Sequence, residues 1–252
     1  DYLINFGYWK TGGLFIAYDI LEEHPAEEYI LIGYCVGGWL ALETARILVE
    51  KGKNVSRVIT ISSSLCGHNY DNELLLERAF GLSIGADIEK AGYLGSNDLL
   101  QKALETYKEE NGDKGISIGD LCALHGEYEI LGMSFRKLNK LSQEERLKKI
   151  YENVSGDEKI DADNVSMFKM LFLLFRHSFK GIMHYEPSVY VGDVQAMFVE
   201  DDTKHFFPVR NITNKSLWEN IVLGQLTVDY IPGEHISCLK EPYVREVAKL
   251  IK

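Results

Sequence analysis

Two parts of this chain have the residue types and spacing of a nucleophilic catalytic set. The first is Gly33-Tyr34-Cys35-Val36-Gly37-Gly38. An apolar run, Tyr29 to Ile32, leads into it, and a helical pattern starting near Trp39 leads out. A nucleophile on a sharp strand-to-helix turn needs small residues two before and two after it, because side chains there would strike the adjoining strand and helix. Gly33 and Gly37 fill those places, and Gly38 leaves room for close helix–sheet packing. The turn presents Cys35 at a helix N-terminus. That position predicts a thiol pKa below its free value of about 8.5. It also aims the Val36 backbone N–H at a developing oxyanion. The competing reading is a buried core cysteine, since cysteine is among the most buried residue types. Cys66, Cys122 and Cys238 lack such a frame and are expected to be packing residues.

The second part is Tyr230-Ile-Pro-Gly-Glu-His235-Ile-Ser-Cys-Leu-Lys-Glu-Pro, which puts a histidine in a loop after a short strand and before a helix. With the elbow upstream, this is the chain order of an α/β-hydrolase: nucleophile, acid, histidine. His235 is therefore the candidate general base. His205, after an acidic loop, is its rival. His24 lies at a helix end, His68 and His125 in a helical block, and His177 and His184 seven apart on one helix face.

An acid would hold the imidazole in one tautomer and stabilise its cation. This fold offers two places for it. The strand after the nucleophile helix ends Thr60-Ile-Ser-Ser-Ser64, with no carboxylate, and Asp71 lies too far on. The loop Met197-Phe-Val-Glu-Asp-Asp-Thr203 holds Glu200, Asp201 and Asp202. Asp202 is favoured, then Asp201. Those acids could equally be solvated surface charge, and a Cys–His dyad without an acid stays open, because a thiol depends less on one than a hydroxyl does.

The elements that must position these groups fall into three regions. Residues 1–64 read as α/β: a helix over Leu14–Glu23, a strand over Tyr29–Ile32, a helix over Trp39–Lys51 stopped at Gly52, and a strand over Val55–Ile61. Residues 65–186 read as helical, with segments over Leu74–Phe80, Asp98–Glu110, Ile118–Gly132, Ser142–Asn153 and Val165–Met183. Ser142 and Glu145 have capping-box spacing. Residues 187–252 return to α/β, with strands over Asp193–Val199 and Thr227–Tyr230 and a helix over Pro242–Ile251. A helical block between two pieces of one sheet is an insertion, so a single domain, 1–252, is expected. Its core is 1–64 and 187–252, and about 65–186 form a helical lid and connecting helix.

Bulk properties exclude other classes. The 252 residues carry 38 acidic and 27 basic side chains, a formal charge of −11, with no basic run longer than two. Nucleic-acid binding needs a clustered basic footprint and is not expected. No apolar stretch reaches the roughly 18 residues of a membrane span. Met167 to Phe175 comes nearest and is broken by Lys169. No signal-peptide pattern opens the sequence. The four cysteines show no C-x-x-C spacing, so no metal site is expected and the thiols read as reduced, in a cytoplasmic protein.

Three segments together resemble the type I thioesterase domains of nonribosomal peptide synthetases. They are Glu28-Tyr-Ile-Leu-Ile-Gly-Tyr-Cys-Val-Gly-Gly, the stretch from Phe179 to Asp193, and Gly233-Glu-His-Ile-Ser-Cys-Leu-Lys-Glu-Pro-Tyr. The resemblance covers residues 14–64 and about 165–252 and is poor between about 65 and 160, where such enzymes carry a variable lid. It implies a carrier-protein partner whose phosphopantetheine arm delivers a peptidyl thioester, with no cofactor bound directly. The acyl chain would pass to Cys35 and leave by hydrolysis, aminolysis or cyclisation. Three features depart from the family. Cysteine stands in place of the usual serine, serine replaces the acid after the strand ending near Ile61, and the elbow comes early. At most one strand, within Leu3 to Tyr8, could precede the first helix, so N-terminal strands of the fold are expected to be missing from this chain. The second oxyanion donor is unassigned. Two other readings use the same nucleophile: a polyketide-type or stand-alone thioesterase or acyltransferase, and a cysteine hydrolase of small esters or lactones. A third is an inactive scaffold.

Overall fold

The computed structural model describes residues 2–65, 71–112, 114–154, 162–183, 185–200 and 214–251. The chain forms two compact units, one of residues 1–65, 184–204 and 209–252, the other of residues 66–183 and 205–208.

The first unit has the α/β-hydrolase fold, built on a parallel sheet. Its strands are β1 (Glu28–Tyr34), β2 (Asn54–Ile61), β3 (Val194–Val199) and β4 (Leu226–Ile231), in the order β1-β2-β3-β4. Parallel strands are covered on both faces and read as apolar runs. β3, Val-Gln-Ala-Met-Phe-Val, is buried at all six positions. β1, which among the described residues pairs with β2 alone, leaves Ile30 and Ile32 half exposed. Because every strand runs the same way, the residues after Tyr34, Ile61, Val199 and Ile231 all emerge at one edge. Ile59, Ile61, Met197, Val199, Ile231, Val247 and the fully buried Cys238 form one apolar cluster.

Helix α1 (Tyr2–Glu23) packs on α2 (Val36–Glu50). It starts at Tyr2, so the stretch Leu3–Tyr8, where a strand was conceivable, is helix. Along α2, Trp39, Leu42, Ala45 and Leu48 are buried, one stripe at helical spacing. Gly52 ends the helix at φ 74°, as its sequence position predicts. Trp39 lies flat on Trp218, with centroids 4.6 Å apart and planes 4° from parallel. Trp218 belongs to α9 (Asn214–Ile221), a helix the sequence reading did not anticipate. The closing helix, α10, runs Val244–Leu250.

The second unit is helical: α3 (Glu73–Ser83), α4 (Asn97–Asn111), α5 (Ile118–Ala123), α6 (Glu129–Leu138), α7 (Gln143–Glu152) and α8 (Ala162–Met183). The single helix expected over Ile118–Gly132 is instead two, parted at Leu124-His125-Gly126, where Gly126 takes φ 63°. Ser142 and Glu145 make the expected capping box. Phe80 meets Phe168, Phe172 and Phe175 in the core. Beside it Glu77, fully buried, accepts from Arg146 Nε at 2.6 Å and from Tyr93 Oη at 2.6 Å.

Candidate active site

The site is built at the C-terminal edge of the sheet. Cys35 is the residue between β1 and α2, at φ 55° and ψ −126°. A non-glycine residue held there costs of order 1–3 kcal/mol and persists only where its surroundings fix it. Two backbone hydrogen bonds hold it there. Cys35 N–H donates to Ile61 O at 2.9 Å, and Gly38 N–H to Cys35 O at 3.2 Å. A Cβ on Gly33 would sit 2.1 Å from Gly37 O, so the turn closes only on glycine. A Cβ on Gly38 would lie 2.0 Å from Ser63 Oγ, which gives this glycine the packing role read from sequence. Gly37 is different. A Cβ there meets nothing within 4 Å, so the expected steric need two residues after the nucleophile is not what this turn imposes.

The Cys35 thiol also corrects an expectation. Burial pushes it up to about 11, and the thiol of Cys238 adds slightly to this. The Val36 N–H pulls the other way but does not win. The helix terminus therefore supplies a donor beside the sulfur without making a resting thiolate, since the cost of desolvating an anion exceeds one backbone hydrogen bond.

His235 follows β4 in a turn launched by Gly233 at φ 93°. A side chain on Gly233 would strike the Tyr243 ring at 2.9 Å. The turn is tied internally by Ser237 N–H and Cys238 N–H, both donating to Glu234 O, and by Glu234 N–H donating to Ser237 Oγ. His235 is 5% exposed. Its ring stacks on Tyr34, with centroids 5.1 Å apart and planes 26° from parallel. Tyr34 Oη donates to the His235 carbonyl, and Cys238 Sγ reaches the same oxygen at 3.5 Å. Burial raises the Tyr34 phenol well above its ordinary value, and the neighbouring thiols of Cys35 and Cys238 add to this, so it stays a proton donor. Tyr34 thus clamps the histidine from the residue next to the nucleophile.

His235 Nδ1 lies 2.7 Å from Ser62 Oγ. Ser62 directly follows β2, is 2% exposed, and donates its N–H to Met197 O at 2.8 Å. It has φ 49°. Among the described residues, Cys35 and Ser62 are the non-glycine residues with positive φ, and both stand at this edge. Cys35 follows β1 and His235 follows β4, so both stand at the C-terminal edge of the sheet, where Tyr34 and Ser62 contact His235. Neither contact was foreseen. The three serines after β2 carry no carboxylate, yet the Ser62 hydroxyl faces His235 Nδ1. Asp201, Asp202 and the rival His205 lie outside the described residues. Asp71 pairs with Lys180 Nζ at 2.6 Å in the helical unit. Among the described residues, no group of three or more His, Cys, Asp or Glu could hold a metal ion, and no helix is long and apolar enough to cross a membrane.

Residues 15–78 match the thioesterase domain family model. The chain is 28% identical over 239 residues to the pyochelin synthetase PchF of Pseudomonas aeruginosa PAO1, covering 92% of this chain and 12% of that protein. For PchF of strain UCBPP-PA14 the identity is 27% over 230 residues, covering 88% and 11%. The chain thus spans about an eighth of the length of the curated relatives it matches. Among solved structures, a holo four-domain nonribosomal peptide synthetase bound to AMP and glycine shares the fold. The TM-score is 0.56 at 17% identity, covering 96% of this chain and 15% of that one. The chain is similar to thioesterase domains of nonribosomal peptide synthetases.

Proposed function

We propose that this chain is a thioesterase that takes an acyl or peptidyl chain from the phosphopantetheine thioester of a carrier protein, through an acyl-enzyme on Cys35. The observation that carries the proposal is the strained presentation of Cys35 on its strand–helix turn, with His235 held at the same sheet edge by Tyr34 and Ser62. His235 Nε2 takes the Sγ proton as Sγ attacks the thioester carbonyl. Val36 N–H donates to the resulting oxyanion. Collapse breaks the C–S bond to phosphopantetheine, whose sulfur leaves with the proton held on His235. A second round delivers the acyl group to water, or to an amine or hydroxyl of the chain itself, with His235 again moving the proton.

The thiol matters energetically. The first step exchanges one thioester for another and is close to thermoneutral, so the acyl group stays activated on Cys35. A serine there would trap it as a less reactive oxoester. Cys35 accordingly favours attack by an internal amine or hydroxyl over slow hydrolysis. The helical unit lies in the chain between two pieces of the sheet unit. From that place it is assigned the part of the lid, which excludes water from such an intermediate.

Intact mass spectrometry after mixing the protein with a synthetic peptidyl-pantetheine thioester tests the proposal. The expected result is an acyl adduct that maps to Cys35, is absent in Cys35→Ala, and decays to released product. An adduct that survives in Cys35→Ala, or none at all, overturns it.

A further inference from the structure

We infer that Tyr34 is a positioning residue for acyl loading, and that its two ends act separately. The hydroxyl sets where the His235 backbone stands relative to the nucleophile's turn, and the ring sets the tilt of the imidazole. The inference deepens the thioesterase reading above and rests on its use of His235 as base.

Tyr34 is the last residue of β1 and directly precedes Cys35. The sheet fixes its backbone: Tyr34 pairs with Ile61 in the β1–β2 register, and Cys35 N–H bonds Ile61 O. His235 rides on a turn after β4, at the far end of the order β1-β2-β3-β4. With strands about 4.8 Å apart, the ends of β1 and β4 stand roughly 14 Å from one another. The ladder orders the strands across that gap but does not set where the turn comes to rest. A side chain closes it, because Tyr34 Oη donates to the His235 carbonyl. Tyr34 also packs against the apolar cluster that holds Ile61, Met197 and Cys238, and Cys238 belongs to the same turn as His235. Tyrosine suits this span, since it is long yet has only two torsions to freeze. Burial raises the phenol above its ordinary value, and the thiols of Cys35 and Cys238 add to this, so its proton stays in place while the thiol proton moves. Neither the clamp nor the stacking depends on what else His235 touches.

The ring end has its own consequence. His235 lies on the Tyr34 ring with centroids 5.1 Å apart and planes 26° from parallel, within the range of stacked aromatic pairs. The face of a phenol ring is the negative side of its quadrupole. It attracts the imidazole more strongly once the thiol proton has made it a cation. The contact is therefore stronger after proton transfer than before, and its loss falls on the rate of the step and not on substrate binding.

The test removes the two ends in turn. Tyr34→Phe keeps the ring and loses the hydroxyl, and Tyr34→Leu loses both. Loading with a synthetic peptidyl-pantetheine thioester at several concentrations, followed by mass spectrometry, gives kcat and KM. Tyr34→Phe should lose roughly 3–10-fold in kcat and Tyr34→Leu roughly 30–100-fold, each with KM within about twofold of wild type. In the free protein, the stacked ring should move the His235 ring-proton NMR signals upfield in wild type and in Tyr34→Phe. In Tyr34→Leu that displacement should vanish. A Tyr34 that only fills space predicts wild-type kcat in both folded variants, and that result overturns the inference. So does a loss carried by KM. Equal losses in the two variants overturn the part given to the ring. If Tyr34→Leu does not fold, Tyr34→Phe decides alone through its kcat and KM. Failure of the thioesterase reading looks different: wild type then forms no Cys35 adduct, while the NMR displacement and its loss still report the contact.

Discussion

His235 and Glu77 are both buried titratable side chains with close partners, one in each unit, and they are buried in opposite ways. Glu77 sits fully enclosed on α3. It accepts two bonds from Arg146, at 2.6 and 3.0 Å, and one from Tyr93. Arg146 also bonds Leu141 O at 2.6 Å and pairs with Glu73. Even so, burial raises the Glu77 pKa above its ordinary value, against the opposing pull of those bonds. The backbone there is regular helix, and both carboxylate oxygens are hydrogen-bonded. His235 sits on a turn, contacts the Ser62 hydroxyl at its Nδ1, and follows β4 at the sheet edge where Cys35 and Ser62 both take positive φ. A saturated charge cluster locks helices in place because no proton can move without leaving a bare charge.

The comparison can be broken from either side. The largest effect should follow His235→Ala, which ought to slow Cys35 acylation by roughly 10³–10⁵-fold at urea concentrations where the variant is still folded. A loading time course by mass spectrometry measures it, and a near-normal rate would put the base elsewhere. On the helical side, Arg146→Ala strands Glu77 and should cost about 3–5 kcal/mol of stability in urea unfolding. Replacing the pair together, Glu77→Met with Arg146→Leu, should restore most of that loss. If Arg146→Ala unfolds at the wild-type midpoint, the cluster is not the lock described here.

A pH experiment sharpens the site half. With the Cys35 thiol pushed up to about 11, alkylation by iodoacetamide should keep rising from pH 7 through 10. A plateau below pH 8 would mean a resting thiolate. The sign carries over to stability. The folded state holds this proton more tightly than the unfolded chain, so the thiol's contribution is intact below pH 9 and lost as pH climbs to 11. Comparing wild type with Cys35→Ala over that window isolates it. The smallest effect concerns Gly37→Ala. Its Cβ enters open space in the first turn of α2, so stability should rise or hold within about 1 kcal/mol. Gly33→Ala should instead collapse the elbow.

Much of this was legible in advance because it is local. The apolar run of β1, the glycines of the elbow, the stripe of α2 and the β-branched β2 are patterns within a few residues. Each was read to within a few positions of its observed ends. Helix α9 was not, because its eight residues carry too short a period to separate from a loop. The role of Gly37 was misjudged, since the space around a Cβ depends on what packs there. The thiol's direction of shift was misjudged for a related reason: the helix N-terminus is visible in sequence, but the desolvation that outweighs it comes from the surrounding fold. Tyr34 was visible only as the residue beside the nucleophile, and Ser62 only as one of three serines.

The sequence by itself determined that Cys35 stands on a strand–helix turn and that His235 follows a later strand, because turn chemistry and hydrophobic period act over short spans of chain. Only the tertiary structure decided that the Ser62 hydroxyl meets the imidazole. Ser62 and His235 are 173 residues apart and meet because β2 and β4 end at one sheet edge. Nothing in a local pattern pairs these two residues, whereas a 2.7 Å contact between two buried side chains does.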